Sequence, residues 1–250
     1  MSDQILVIVP CYNEEKRLEK KKFIDFAKHA GSFQFLFVDD GSRDGTYSVL
    51  AGMQKELPEK MDVLKLEKNS GKAEAVRRGF IKAIQSSKAN LIAFWDADLA
   101  TPLEALPNFS ALFHQRPHVE MVFGSRVKLL GRHIERRAIR HYLGRVFATA
   151  ASMVLNLSVY DTQCGAKMFR RTETLAKLFQ EKFHSKWIFD VEIIARYLKL
   201  KKGWTQDEME STICEFPLPE WRDVRGSKVR PFDFMKAFVE LLIIFFHYRF

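Results

Sequence analysis

Short apolar runs alternate with longer, charged, amphipathic stretches along the first hundred residues. Residues 5–9 and 33–38 are continuous apolar runs, the first closed by Pro10 and the second by Asp39 and Asp40. A strand covered on both faces reads this way because neither side needs to be polar, so both runs predict buried parallel strands. Between them, 14–30 is charged and helix-compatible, and it offers Leu18, Phe23, Phe26 and Ala27 as a face for a sheet. The pattern then repeats, with a helix from Asp44-Gly45-Thr46 towards Leu57, a strand at 62–66, a helix at 72–86 and a strand at 90–95. Strands and helices alternating at this interval predict an α/β fold: an open, mostly parallel sheet with helices on both faces. Ligands of such sheets bind beyond the carboxyl ends of the strands.

After Pro102 the rhythm loosens. A helix is expected at 103–115, a strand at 120–124, a basic stretch at 126–145, an apolar helix at 146–157 and a further helix at 191–200. No repeat or Pro/Gly linker divides the chain, so one domain is expected over 1–230, followed by an amphipathic helix over 231–250. That tail is broken by Lys236, Glu240 and Arg249, and its uncharged run 241–248 is far shorter than the roughly 20 residues a bilayer span requires. Phe234, Phe238, Leu241, Leu242 and Phe245 share one helical side, a pattern that fits an interfacial helix, a partner surface or a completed core.

Composition narrows the classes. With 47% apolar residues in 250, disorder is excluded as a description of the whole chain. The net charge of +9 would suit nucleic acid, an anionic membrane face or phosphorylated small molecules. No zinc finger, helix-turn-helix or aromatic sheet motif is present, so nucleic acid is not an expected partner. Cys11, Cys164 and Cys214 lie far apart, without the spacing of a disulfide framework or a zinc knuckle. The polar N-terminus runs straight into an apolar strand, without the basic n-region and small-residue cleavage site of a signal peptide, so a reducing, cytoplasmic location is expected.

The candidate chemistry sits at two strand ends. Asp39 and Asp40 end one strand, and as neighbours they point to opposite faces, so only one of them can readily meet a given ligand. Asp96 and Asp98 follow another and, if extended, lie on one side, where two carboxylates can share a hard cation. Magnesium or manganese held by such a pair completes its shell with water and substrate phosphate oxygens, as a nucleotide diphosphate site requires. Lys72 follows Gly71 at a helix start, where free N–H groups and a cation together favour a diphosphate.

These residues, taken in order, resemble the family 2 inverting glycosyltransferases of the GT-A, Rossmann-like fold. The resemblance rests on Pro10-Cys11-Tyr12-Asn13-Glu14, Val38-Asp39-Asp40-Gly41-Ser42, Asn69-Ser70-Gly71-Lys72, Asp96-Ala97-Asp98 and Gly124-Ser125-Arg126. The later Asp161-Thr162-Gln163-Cys164-Gly165-Ala166-Lys167, Trp187-Ile188-Phe189-Asp190-Val191-Glu192 and Gly226-Ser227-Lys228 are similar to the branch that glycosylates polyprenyl or dolichyl phosphate, nearest to its glucosyltransferases. It covers about residues 4–230.

The resemblance implies that Pro10, Tyr12 and Glu14 flank the nucleotide base and that Asp40, with Asp39 as second choice, accepts a ring N–H. It implies that Lys72 meets the diphosphate, that Asp96-Ala97-Asp98 is the metal-binding motif, and that Arg126 and Arg140 grip the acceptor phosphate. Asp98, Arg126 and Asp161 form the implied catalytic set, with Asp161 contacting sugar hydroxyls, orienting Lys167 or acting as a base. Asp190 and Glu192 read equally as helix N-terminal acids. Three departures stand out: Ala73 replaces a frequent glycine, Gly144 a common serine, and Ala100 the glutamine of many mannosyl members, which leans the reading towards glucose. The implied function is a metal-dependent transfer of a hexose, glucose from UDP-glucose first, to a polyprenyl or dolichyl phosphate. GDP-mannose, a soluble acceptor, or a non-catalytic nucleotide-sugar binding protein are the alternatives. A lipid acceptor further implies peripheral contact at the cytoplasmic membrane face.

Overall fold

The computed structural model describes residues 3–135, 138–224 and 231–248, and the side chains of 138–141 and 231–234 lie outside that description. The strands are mostly parallel and helices cover both faces, the α/β class that the alternation predicts. The chain forms two compact units, Met1–Leu99 with Ala166–Lys182, and Ala100–Gly165 with Phe183–Phe250.

The first unit carries the regular alternation: β1 (Ile5–Cys11), α1 (Lys20–His29), β2 (Phe33–Asp39), α2 (Thr46–Glu56), β3 (Met61–Lys65), α3 (Lys72–Ser86) and β4 (Leu91–Trp95). Its strands lie in the order β3-β2-β1-β4, all parallel, and β7 (Ala166–Arg170) closes on β4 antiparallel, with Phe94 opposite Lys167. Buried phenylalanines fill both faces. Phe23 of α1 sits edge-on to Phe35 and Phe37, and Phe80 of α3 stacks on Phe179 at 3.8 Å and meets Phe94 and Phe169 edge-on. Rings in these geometries add to the gain from area burial alone. The buried guanidinium of Arg77, paired with Glu74, donates to the carbonyls of Phe179 and Gln180 and ties α3 to the end of α6 (Glu173–Gln180).

One helix starts later than expected. The segment 14–30 is helical only from Lys20, because 12–19 is drawn into the loop beyond β1: Asn13 takes a left-handed φ of 51°, and the N–H groups of Arg17 and Leu18 close a turn on the Glu14 carbonyl.

The second unit is less periodic. A 3-10 turn at Leu103–Ala105 leads into α4 (Leu106–Gln115), where Pro107 is tolerated in the first turn because its missing N–H would have no helical partner. Then come β5 (Met121–Ser125), β6 (His133–Glu135), α5 (Ala138–Leu155), α7 (Phe189–Leu200), α8 (Gln206–Thr212), β8 (Ile213–Pro217), β9 (Glu220–Arg222) and α9 (Pro231–Tyr248). β5 pairs with β8 and β6 with β9, both parallel. α5 begins inside the basic stretch, eight residues before the apolar helix expected there. α9 turns Ala237, Leu241, Ile244 and Tyr248 inward, so Leu241 belongs to the core while Phe238, Leu242 and Phe245 are exposed.

Candidate active site

In the first unit, the loops after β1 and β2 are stitched to each other by side chains. The N–H of Asn13 donates to Ser42 Oγ (3.0 Å), that of Glu14 to Thr46 Oγ1 (2.8 Å), and that of Arg43 to Asn13 Oδ1 (2.9 Å). Gly41, at φ +63°, lies against the backbone of Lys68 and Asn69, where a Cβ would come within 2.4 Å of a carbonyl carbon, so only glycine fits. Pro10, Tyr12 and Glu14 are thereby fixed on one loop whose neighbour begins at Asp39.

The two adjacent acids have separate employments. Asp40 accepts the N–H groups of Ser70 and Gly71, both at 2.8 Å, and so fastens the turn that starts α3. Burial, with Asp39 and Glu74 nearby, pushes its carboxyl above the ordinary range against those two donors. Asp39 is 0% exposed; its Oδ1 accepts the Ser42 N–H at 3.2 Å, and its Oδ2 is buried with no hydrogen-bond partner among the described residues. A buried, unsatisfied carboxylate oxygen is costly and calls for a ligand donor. The order of preference read from sequence, Asp40 before Asp39, is not what this geometry favours.

Asp96 and Asp98 stand in a turn rather than an extended strand end: the Leu99 N–H donates to the Asp96 carbonyl at 3.2 Å, and Leu99 holds a left-handed φ of 50°. Strain of this kind in a non-glycine residue concentrates at functional sites. Ala97 between them is buried. Each acid faces a cation, Lys72 Nζ 2.5 Å from Asp96 Oδ1 and Arg17 Nη2 3.6 Å from Asp98 Oδ2, with side-chain exposures of 34% and 28% that leave both acids reachable. Arg17 also lies 3.6 Å from Glu14, linking the loop after β1 to the acidic turn. Two hard carboxylates are a donor set that fits magnesium or manganese, and no cluster of three or more His, Cys, Asp or Glu ligands occurs among the described residues, so water and substrate oxygens would complete the shell. Arg17 escaped the sequence reading; its spacing of three from Glu14 was the available signal.

In the second unit, Arg126 follows β5 and is gripped by Asp161. Its Nε and Nη2 donate to the two carboxylate oxygens at 2.6 and 2.7 Å, and its backbone N–H adds a third bond at 3.0 Å. This is a bidentate fork, fixed in plane as well as in distance. Asp161 is held in turn by Glu215 of β8, whose carboxylate accepts the N–H groups of Tyr160 and Asp161 at 2.8 and 2.7 Å. Burial, with Asp161 adjacent, pushes Glu215 above the usual range despite those donors. Nothing in the sequence pattern marks Glu215, which lies more than fifty residues from its partners.

Other predicted residues fall elsewhere. Lys167 is buried on β7 with Nζ 5.1 Å from the centroid of the Phe94 ring. Asp190 is buried in the first turn of α7, and Glu192 is structural: it accepts the N–H groups of His184 and Ser185, the Tyr248 hydroxyl and the Arg196 guanidinium. Arg140 lies on α5 with its side chain outside the described residues; Arg136 and Arg137, the other arginines of its basic segment, and the Gly226-Ser227-Lys228 motif lie outside them altogether.

Known proteins share this chain's sequence and fold. The sequence model of glycosyl transferase family 2 matches residues 6–175, more than half of the chain. A dolichyl-phosphate beta-glucosyltransferase of Drosophila melanogaster is 34% identical over 244 residues, covering 92% of this chain and 70% of that protein. The human dolichyl-phosphate beta-glucosyltransferase is 32% identical, covering 98% and 76%. Glucosyl-3-phosphoglycerate synthase from Mycobacterium tuberculosis, crystallised with Mn2+, UDP-glucose and phosphoglyceric acid, superposes with a TM-score of 0.68 at 18% identity, over 98% of this chain and 80% of that one, a likeness of fold. The family match and the two relatives above 30% identity together establish that the chain belongs to glycosyl transferase family 2 and is an enzyme of that family.

Proposed function

We propose that this enzyme moves glucose from UDP-glucose to the phosphate of a polyprenyl or dolichyl lipid, inverting the anomeric carbon. The observation that carries the reading is 34% and 32% identity, over 92% and 98% of the chain, to two dolichyl-phosphate beta-glucosyltransferases. A phosphate monoester is anionic near neutral pH, so it attacks without first surrendering a hydroxyl proton, and a strong general base is unnecessary. Its oxygen forms the new bond to the anomeric carbon while the bond from that carbon to the β-phosphate oxygen breaks. The electron pair of that bond leaves with UDP. Attack opposite the leaving group turns an α-linked donor into a β-linked product.

Each residue then has a task. Asp39, through its unpartnered Oδ2, accepts the uracil ring N–H, between the loop of Pro10, Tyr12 and Glu14 and the α3 start that Asp40 fastens. Lys72 shifts from Asp96 to the diphosphate at the N-terminus of α3, where the helix dipole also favours an anion. Asp96 and Asp98 would hold a divalent cation, which would supply charge stabilisation to the departing diphosphate. Arg126 and Arg140 take the acceptor phosphate. Asp161 is a positioning residue in this scheme, because both its oxygens already accept N–H groups and Arg126 is what they orient. The lipid acceptor sets the place of work at the cytoplasmic face of a membrane, by peripheral contact.

The test is turnover with radiolabelled UDP-glucose, UDP-galactose, UDP-N-acetylglucosamine and GDP-mannose, each with magnesium or manganese and a short polyprenyl phosphate. Lipid-extractable label from UDP-glucose is expected. Label from GDP-mannose alone would overturn the donor, and transfer only to a water-soluble phosphate such as 3-phosphoglycerate would overturn the acceptor.

A further inference from the structure

The second unit leaves more large apolar side chains in solvent than a monomer ordinarily tolerates in one place. α9 is apolar almost all round, yet among its described side chains only Ala237, Leu241, Ile244 and Tyr248 are buried. Met235, Val239, Leu242, Ile243 and Phe246 are each more than 40% exposed, and Phe238 nearly so. A helix apolar on every side belongs inside a core, inside a bilayer or at an interface, and α9 is half covered. Phe238 meets Phe147 of α5 edge-on at 5.9 Å, and the exposed Leu143 and Val146 lie within about a turn of that contact.

Charge on this ridge is removed or basic. Glu240 is the only acid between 235 and 248, and its carboxylate is turned away to accept the N–H groups of Lys186, Trp187 and Ile188, capping the start of α7. That capping brings the half-exposed Trp187 beside the middle of α9. α5 contains no acid at all, and residues 126–145 hold seven Lys or Arg against the single Glu135. Within that basic run, the Arg132 N–H closes a turn on the Leu129 carbonyl with Gly131 at φ +77°, and Leu130 stands at the corner, 104% exposed between Lys128 and Arg132. A leucine fully in water, flanked by two cations, is the chemistry of a lipid-inserting tip.

We infer that α9, with Leu143 and Val146 of α5, and the 129–132 turn form a docking face for an anionic lipid bilayer. Apolar side chains enter the acyl boundary, Trp187 sits at headgroup level, and Lys128 and Arg132 meet the negative surface. No described helix is long and apolar enough to cross a membrane, so the contact is one of lying on the bilayer. The choice of a bilayer rests on the lipid-acceptor reading above, but its test does not depend on turnover.

Flotation of the full chain with vesicles of phosphatidylcholine alone and of equimolar phosphatidylcholine and phosphatidylglycerol provides that test. Binding to the anionic vesicles is expected, weakening in high salt. L130E, a change at a fully exposed turn corner that leaves the core untouched, and L242E/F246E are each expected to lower the bound fraction about tenfold. Both variants should keep wild-type transfer to a short, water-soluble polyprenyl phosphate when no vesicles are present. Equal flotation of wild type and variants, absence of wild-type binding, or a wild-type dimer in solution that L242E/F246E dissociates would each overturn the bilayer assignment. Should no donor be turned over while flotation behaves as stated, the proposed function fails and the docking face stands.

Discussion

The two units bury polar backbone by different means. In the first, most of the groups vanish into ladders: β1 pairs residue for residue with β2 from Ile5 opposite Phe33 to Cys11 opposite Asp39, and side chains such as Arg77 serve backbone groups where strands and helices stop. In the second, three glutamates do what ladders do elsewhere. Glu192, Glu215 and Glu240 together accept seven backbone N–H groups from irregular segments at 160–161 and 184–188. A ladder spreads its stability over many equal bonds, whereas a buried carboxylate concentrates it in one residue. Substitutions at the acids of the first unit that cap no turn should therefore change chemistry and spare the fold, while substitutions at backbone-capping carboxylates, the three glutamates of the second above all, should do the reverse.

The largest expected effect tests the first half of that contrast. D98A should cut metal-dependent turnover on the order of a thousandfold, because a carboxylate of the cation site is gone, with the thermal midpoint nearly unchanged. Turnover undiminished in D98A would remove the metal role of the 96–99 turn.

The second half is tested at Glu192, which is 0% exposed and pairs with the buried Arg196 at 2.9 Å. E192A strands that guanidinium and frees two N–H groups, so a urea titration at neutral pH should show a loss of about 3–5 kcal/mol. Burial alone would raise the Glu192 carboxyl, but the N–H groups of Ser185 and His184, the Tyr248 hydroxyl and Arg196 hold it below the ordinary glutamate value. A carboxylate depressed in the folded state stabilises above its unfolded pKa and loses that contribution as pH falls through the folded one. The gap between wild type and E192A should accordingly narrow on acidification below the normal glutamate range. A gap that stays constant would mean that packing, and not the ionised carboxylate, holds α9 against α7.

The same contrast explains what was legible in the sequence. The alternation from β1 to β4 follows from periodicity, and α3 begins and ends at the residues its pattern marks, Lys72 and Ser86, whereas β7 and α6 of the same unit were not expected. Its most displaced boundary, α1 starting at Lys20, comes from the bonds of Asn13 and Glu14 to Ser42 and Thr46, about thirty residues away, which no local window contains. The acids at the two strand ends were legible because the strands were. Glu215 and Glu240 were not, since a glutamate in an ordinary strand or helix carries no sign that it will cap backbone more than fifty residues distant. Asp161 and Arg126 could be named through motif resemblance, but the fork that joins them exists only in three dimensions.

The smallest effect separates the adjacent acids of the first unit, where one carboxylate serves the fold and its neighbour is available to a ligand. D40N leaves either the Ser70 or the Gly71 N–H facing an amide hydrogen in place of an oxygen, so it should cost about 1–3 kcal/mol in denaturant titration. Its effect on donor KM should be the lesser one. D39N turns an acceptor into a donor at the oxygen that now has no partner, and it should raise the KM for the nucleotide sugar about tenfold, the worth of one hydrogen bond to a charged group. Its stability should fall little, because the only described bond to lose is the 3.2 Å contact from the Ser42 N–H, which the asparagine oxygen can still accept. The reverse outcome, D40N raising KM and D39N unfolding the protein, would return the base contact to Asp40. It would also show that a strand end in this unit, like a glutamate in the other, can carry fold and chemistry on one carboxylate.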